Sequence, residues 1–250
     1  MRRIRLTIEY DGTNYAGWQR QDNGVTIQEL IENNIQKVTG ERVTLHGSGR
    51  TDSGVHALAQ VAHFDTNARM PAEKFSYALN TGLPQDIRVT DSREVSLDFH
   101  SRFSAKKKHY RYIINNAAHA SALYRNIELH VHRPLDVSAM AEAAKALVGT
   151  HDFSAFKAVE CKLNAVRTIY RSEISTDGDR ITYDIVGNGF LYNMVRIIVG
   201  TLIEIGKGKL EAKDMRRILE SRDRMQAGPT APAKGLTLVC VDYSEDGHEG

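Results

Sequence analysis

The chain has 250 residues, 41% of them hydrophobic and 26% charged, room for one large or two small cores and an ordinary make-up for a soluble globular protein. With 33 Lys and Arg against 31 Asp and Glu the formal charge is +2, so the overall balance announces no nucleic-acid binder and leaves any such surface to local clustering. The longest mainly apolar stretch, MVRIIVGTLIEIG at 194–206, contains an Arg and a Glu and is too short to span a bilayer. MRRIRLTIEYDG at the N-terminus lacks the apolar run of a signal peptide. Cys161 and Cys240 have no metal-site spacing, so a reduced cytoplasmic setting is expected.

RIRLTIEY (3–10) alternates and predicts a strand, followed by a turn-rich loop, YDGTNYAGWQRQDNG (10–24), where Tyr15 and Trp18 suit either core packing or RNA stacking. Thr26 with Glu29 forms a capping box, and Ile27, Leu30, Ile31, Ile35 and Val38 line one face of the helix that Gly40 closes. RVTLHG (42–47) and HALAQVAHFDT (56–66) predict strands, Pro71 opens a helix that ends near Gly82, and IRVTDSREV (87–95) predicts another strand.

SRFSAKKKHYRY (101–112) carries five Lys and Arg with aromatics at 103, 110 and 112, a pattern suited to phosphate contact and base stacking or to a solvated basic strand edge. YRYIIN (110–115) and NIELHVH (126–132) predict strands, 136–148 a helix stopped by Gly149, and VRTIYRSEIS (166–175) with RITYDIV (180–186) a hairpin over the turn TDGD. An apolar helix over about 190–205, a second over 211–222 and a strand over 235–243 complete the order, ahead of a polar tail at 244–250. The first half reads β-α-β-β-α-β, and so does the second with one extra strand and helix. The expected fold class is α+β, with two similar ferredoxin-like halves of mixed, mainly antiparallel sheets around a central RNA-binding cleft. The expected domains are 1–104 and 105–250.

GSGRTDSGVH (47–56) has the Gly49 to Gly54 spacing of a phosphate-binding loop, but Val55-His56 stands where such a loop needs Lys followed by Ser or Thr, and a strand follows it. The tight turn instead holds the Asp52 carboxylate at the end of a sheet, either for chemistry or to bond its own turn backbone. The apolar helix of 189–206 carries Arg196, read as lying in its middle and buried, so it requires a carboxylate or several acceptors. Asp52 is one candidate partner, and an Asp beside an Arg stays ionised, as a nucleophile or general base must. Glu204 is the local competitor but faces away. His130 and His132 lack a third ligand, so no metal site is expected, and Ser48 and Ser53 near His56 lack a nucleophile elbow.

GRTDSGVHALAQVAHF (49–64) resembles the catalytic motif of the tRNA pseudouridine synthase A (TruA) family. LTIEYDGTNYAGWQRQ (6–21), RFSAKKKHYRY (102–112), DFSAFKA (152–158), VRTIY (166–170), GNGFLYNMVRIIVGTL (187–202) and APAKGLTLVCVDY (231–243) are similar to its other motifs, in the family's order. The resemblance implies that Asp52 is the catalytic aspartate. It implies that Arg50 enters the RNA stack and helps extrude the base, and that Tyr110 stacks on the flipped uracil and is a candidate for proton transfer. Arg196 would pair with the catalytic carboxylate, and Val195 would help wall the base pocket. It further implies a homodimer holding one tRNA across both subunits, with target uridines at positions 38, 39 and 40 of the anticodon stem-loop. Uridine and pseudouridine are isomers, so the reaction demands no cofactor; it needs one carboxylate and a base lifted from its stack.

Overall fold

A computed structural model describes residues 1–158 and 164–244, so Cys161 and tail residues 245–250 lie outside the described residues. The chain forms two compact units, one of Met1–Lys106 together with the chain from Leu238 onward, the other of Lys107–Thr237. Both are mixed α+β with mostly antiparallel strands.

The first unit contains β1 (Arg2–Tyr10), α1 (Ile27–Thr39), β2 (His46–Gly47), β3 (His56–Thr66), α2 (Lys74–Asn80), β4 (Ile87–Val95) and most of β10 (Leu236–Asp242). β1 is central, antiparallel to β3 on one side and β4 on the other; β2 runs antiparallel to β3, and β10 lies next to β3. Alternation in β1 turns Ile4, Leu6, Ile8 and Tyr10 into the core. Ile27, Ile31 and Ile35 of α1 and Phe75 and Leu79 of α2 are fully buried, and Phe75 meets Phe64 of β3 edge-on. The Thr26 hydroxyl accepts from the Glu29 amide and so caps α1.

The second unit contains β5 (Lys107–Asn115), β6 (Leu129–His130), α3 (Val137–Lys145), β7 (Gly149–Asp152), β8 (Val166–Asp177), β9 (Arg180–Gly187), α4 (Met194–Gly206) and α5 (Asp214–Ser221). Its sheet has the order β5-β9-β8-β7, antiparallel throughout, with β6 parallel to β5. Tyr110, Tyr112 and Ile114 of β5 pair with Ile185, Tyr183 and Ile181 of β9 on the core face. α4 is buried over nearly its whole surface, as a helix apolar all round must be.

Several elements differ from the sequence reading. Only His46–Gly47 of 42–47 and Leu129–His130 of 126–132 form strand. Pro71 begins a tight turn, its carbonyl accepting from the Lys74 amide, and regular helix starts at Lys74. Gly149 does not stop a helix: α3 ends at Lys145, and Gly149, with φ +117°, opens β7, a strand the sequence reading lacked. α4 starts at Met194 because Asn193 adopts a left-handed φ of 62° and breaks the helical path there.

Candidate active site

The loop between β2 and β3 is fixed almost residue by residue. The Ser48 amide donates to the Val61 carbonyl at 2.7 Å, and the Asp52 carbonyl accepts from the Val55 amide at 3.1 Å, closing a turn around Ser53 and Gly54. The loop of residues 10–24 docks against this turn. The Trp18 amide donates to the Thr51 carbonyl at 3.1 Å, the Ser53 hydroxyl donates to the Tyr15 carbonyl at 3.0 Å, and the Tyr10 hydroxyl and Thr51 Oγ1 are hydrogen-bonded at 2.8 Å. Gly12 and Gly17 allow the approach: a Cβ at Gly12 would collide with the Val55 carbonyl oxygen, and one at Gly17, where φ is +97°, with the Thr51 carbonyl oxygen. Tyr15 and Trp18 are both buried in this packing.

His56 closes the loop from the strand side. Its Nδ1 accepts from the Gly12 amide at 3.0 Å and lies 3.1 Å from Asp11 Oδ1. Burial works against the Asp11 carboxylate, yet hydrogen bonds from the Thr13 hydroxyl and amide hold its pKa below the ordinary value. The side chains turned outward from this scaffold include exposed Arg50, while Asp52 is half-buried beside it. No helix begins after the loop, which runs straight into β3, so the helix N-terminus of a phosphate-binding loop is missing.

The second unit holds the other residues singled out above. Tyr110 of β5 is buried against Phe190, the rings edge-on with centroids 5.2 Å apart. Val195 is buried in the first turn of α4. Arg196 follows it, so it lies near the helix start and not in the middle, and it is half-buried rather than fully buried. Acceptors of the kind expected are present. Arg196 Nε donates to the Ala231 carbonyl at 2.8 Å and Nη1 to Asn193 Oδ1 at 3.0 Å, while its own carbonyl accepts from the Ala231 amide at 3.0 Å. Segment 228–231 is thereby tied to α4 at both backbone and side chain, and the Gly228 amide donates to Thr201 Oγ1 at 2.9 Å. Glu204, the local competitor for Arg196, is taken up by Lys207 and Lys209 at 3.0 and 2.7 Å.

The basic stretch of 101–112 divides by strand geometry. Tyr110 and Tyr112 share the core face of β5, whereas His109 and Arg111 share the other face and engage Asp184 of β9 at 2.6 and 3.0 Å. Burial opposes the charge on Asp184, but the hydrogen bonds from His109 and Arg111 hold its pKa down to about 2. Aromatics and bases therefore do not form one interleaved surface there, and Phe103 is the exposed aromatic of the stretch. His130 donates to the Ala117 carbonyl at 2.9 Å, and no group of metal-ligating side chains is assembled among the described residues. No helix among them is long and apolar enough to cross a membrane.

The loop thus places a half-buried Asp52 two residues from an exposed Arg50 on a turn held by backbone and side-chain hydrogen bonds. The sequence model of the tRNA pseudouridine synthase family matches residues 6–104 and 143–244. Curated relatives called tRNA pseudouridine synthase A agree along almost the whole chain. Those of Acetivibrio thermocellus and Thermoanaerobacter sp. are each 52% identical over 244 residues, covering 97% of this chain and 100% of the relative. That of Clostridium acetobutylicum is 48% identical with the same coverage. The chain belongs to the tRNA pseudouridine synthase family and is an isomerase of tRNA uridine.

Proposed function

We propose that this protein isomerises uridine to pseudouridine at positions 38, 39 and 40 of the tRNA anticodon stem-loop, with Asp52 as the catalytic carboxylate. The observation that carries the reading is the Asp52 loop itself: a GRTD turn held on both flanks by its own strand and by the 10–24 loop, with Arg50 exposed and Asp52 half-buried. In the reaction the N1–C1′ bond breaks, a C5–C1′ bond forms, the C5 proton leaves to solvent and N1 gains a proton. A carboxylate attack at C1′, an attack at C6 and abstraction of the C2′ proton all require one ionised Asp against an extruded base. In this reading Arg50 enters the stack and helps extrude the base, Tyr110 stacks on it, Val195 walls the pocket and Arg196 pairs with the Asp52 carboxylate. A dry, apolar-walled pocket would keep the freed uracil while it turns.

The reading includes a cytoplasmic homodimer that holds one tRNA across both subunits, with residues 1–104 bringing the Asp loop and 105–250 the tyrosine and arginine. It also includes two ferredoxin-like halves about a common RNA cleft. In support, the first unit runs β-α-β-β-α-β with the strand order β4-β1-β3-β2, and the second repeats an antiparallel sheet begun by β5.

The test uses unmodified tRNA transcript tritiated at C5 of uridine. The wild type is expected to release tritium to water, and Asp52→Asn to bind the transcript without releasing it. Changing uridines 38–40 to cytidine is expected to abolish release. Substantial turnover by Asp52→Asn removes Asp52 from the reaction; tRNA binding without release by the wild type leaves a binding module.

A further inference from the structure

Gln60 is an amide at an inward position of β3, opposite Ile8 of β1, and it is fully buried. An inward polar side chain in a strand core needs partners, and those of Gln60 all belong to the Asp52 loop or its scaffold. Its Oε1 accepts from Ser48 Oγ at 2.5 Å, and its Nε2 donates to the Gly49 carbonyl at 3.0 Å. The Tyr10 hydroxyl is bonded to Thr51 Oγ1 at 2.8 Å. Ser48, Tyr10 and Thr51 are all buried. A buried polar network in two parts therefore grips the loop: Gln60 holds it immediately before Arg50, at Ser48 and Gly49, and Tyr10 holds it between Arg50 and Asp52, at Thr51.

We propose that Tyr10, Thr51 and Gln60 are positioning residues of the isomerisation: a buried clamp that fixes the backbone on both sides of Arg50 and so sets where the Asp52 carboxylate stands relative to the extruded base. The proposal rests on the reading of Asp52 given above. Burial pushes the Tyr10 phenol above its ordinary pKa, so Tyr10 stays neutral and serves as a hydrogen-bonding strut rather than a proton donor to the reaction. Network members act on one coordinate, the placement of residues 50–52, so their deletions are not additive. A displacement of about 1 Å at a reacting group costs up to about a hundredfold in rate.

The experiment compares Tyr10→Phe, Thr51→Val, the double variant and Thr51→Ser in the tritium-release assay, with kcat, KM for tRNA and Tm measured for each. Tyr183→Phe is the control: it removes an equally buried phenol, bonded to Ser172 at 2.9 Å, from the second unit. Tyr10→Phe and Thr51→Val are each expected to lower kcat about tenfold or more with KM nearly unchanged. The double variant is expected to be no slower than the worse single one, and Thr51→Ser to restore the rate. Tyr183→Phe is expected to lose Tm and keep kcat. Wild-type kcat in both Tyr10→Phe and Thr51→Val overturns the clamp, as does a fall in kcat that follows Tm equally in Tyr183→Phe. If Tyr10→Phe does not fold, the contrast of Thr51→Val with Thr51→Ser decides. Asp52→Asn is run alongside: its activity would remove the underlying site reading, whereas a dead Asp52→Asn beside normal Tyr10→Phe and Thr51→Val removes the clamp alone.

Discussion

Gly200 illustrates how one atom governs the Arg196 region. It lies in α4 where the 228–231 segment crosses, and a Cβ there would run into the Pro229 carbonyl oxygen, which is backbone and cannot swing aside. Gly200→Ala must push that segment off the helix, and Ala231, which is bonded to Arg196 by both amide and carbonyl, moves with it. Overpacking of this kind costs about 1–3 kcal/mol, and each kcal/mol lowers Tm by roughly 2–4 °C in a protein of this size. The expected outcome is a lower Tm by thermal unfolding together with a lower rate of tritium release; an unchanged Tm would show that the segment yields freely. Arg196 also shows what sequence reasoning could reach. That it needed acceptors followed from an arginine inside an apolar helix. That those acceptors include the Ala231 carbonyl did not, because nothing local links residues 35 positions apart. Gln60 left a signal that went unread: an amide at an inward position of an alternating strand, HALAQVAHF.

At the scale of elements, legibility followed length and periodicity. β3 and β4 run over the residues expected as strand, 56–66 and 87–95, and α1 starts and stops at its predicted caps. Short pieces failed because pairing, not local pattern, creates them: β2 is two residues that exist as strand only against His63 and Ala62 of β3. The segment 97–104 is likewise held by tertiary bonds. Arg3 donates to the Leu97 and Phe99 carbonyls at 2.6 and 2.7 Å, and the Ser101 amide donates to His63 Nδ1 at 3.2 Å. Desolvation, with the nearby charges of Arg3, His100 and His46, lowers the His63 pKa to about 4. A histidine whose folded pKa lies below its ordinary 6.5 is neutral in the fold, so the unfolded chain binds the extra proton between those two values. Stability should fall as pH drops from about 6.5 to about 4, and amide exchange at Ser101 should accelerate in that window once corrected for intrinsic pH dependence. His63→Gln should flatten that pH dependence; a wild-type slope in the variant would assign it to other groups.

For the molecule as a whole, His63 and Asp184 are expected to respond to acid in different pH ranges. Asp184 in the second unit has its pKa held at about 2 by His109 and Arg111. Its contribution is present above the ordinary carboxylate pKa and is lost only as pH falls through that range towards 2. The first unit therefore begins to weaken through His63 at a pH where the Asp184 contribution is intact.

The first unit is also split in the chain, Met1–Lys106 being joined by the stretch from Leu238. In that stretch Tyr243 donates to the Ser101 carbonyl at 2.6 Å, and the Asp242 carbonyl accepts from the Lys106 amide at 2.8 Å. The consequence falls on synthesis. A ribosome delivers the Asp52 loop early, but the strand beside β3 emerges last, so a nascent chain stalled before Leu238 carries the first unit with an open edge at β3. Ribosome-bound chains arrested there should show protease cuts concentrated in residues 1–106, and equal protection of both units would disprove the dependence. A chain ending before Leu238 is therefore expected to release no tritium from the transcript, and release at the full rate would show that the Asp52 loop stands without its last strand.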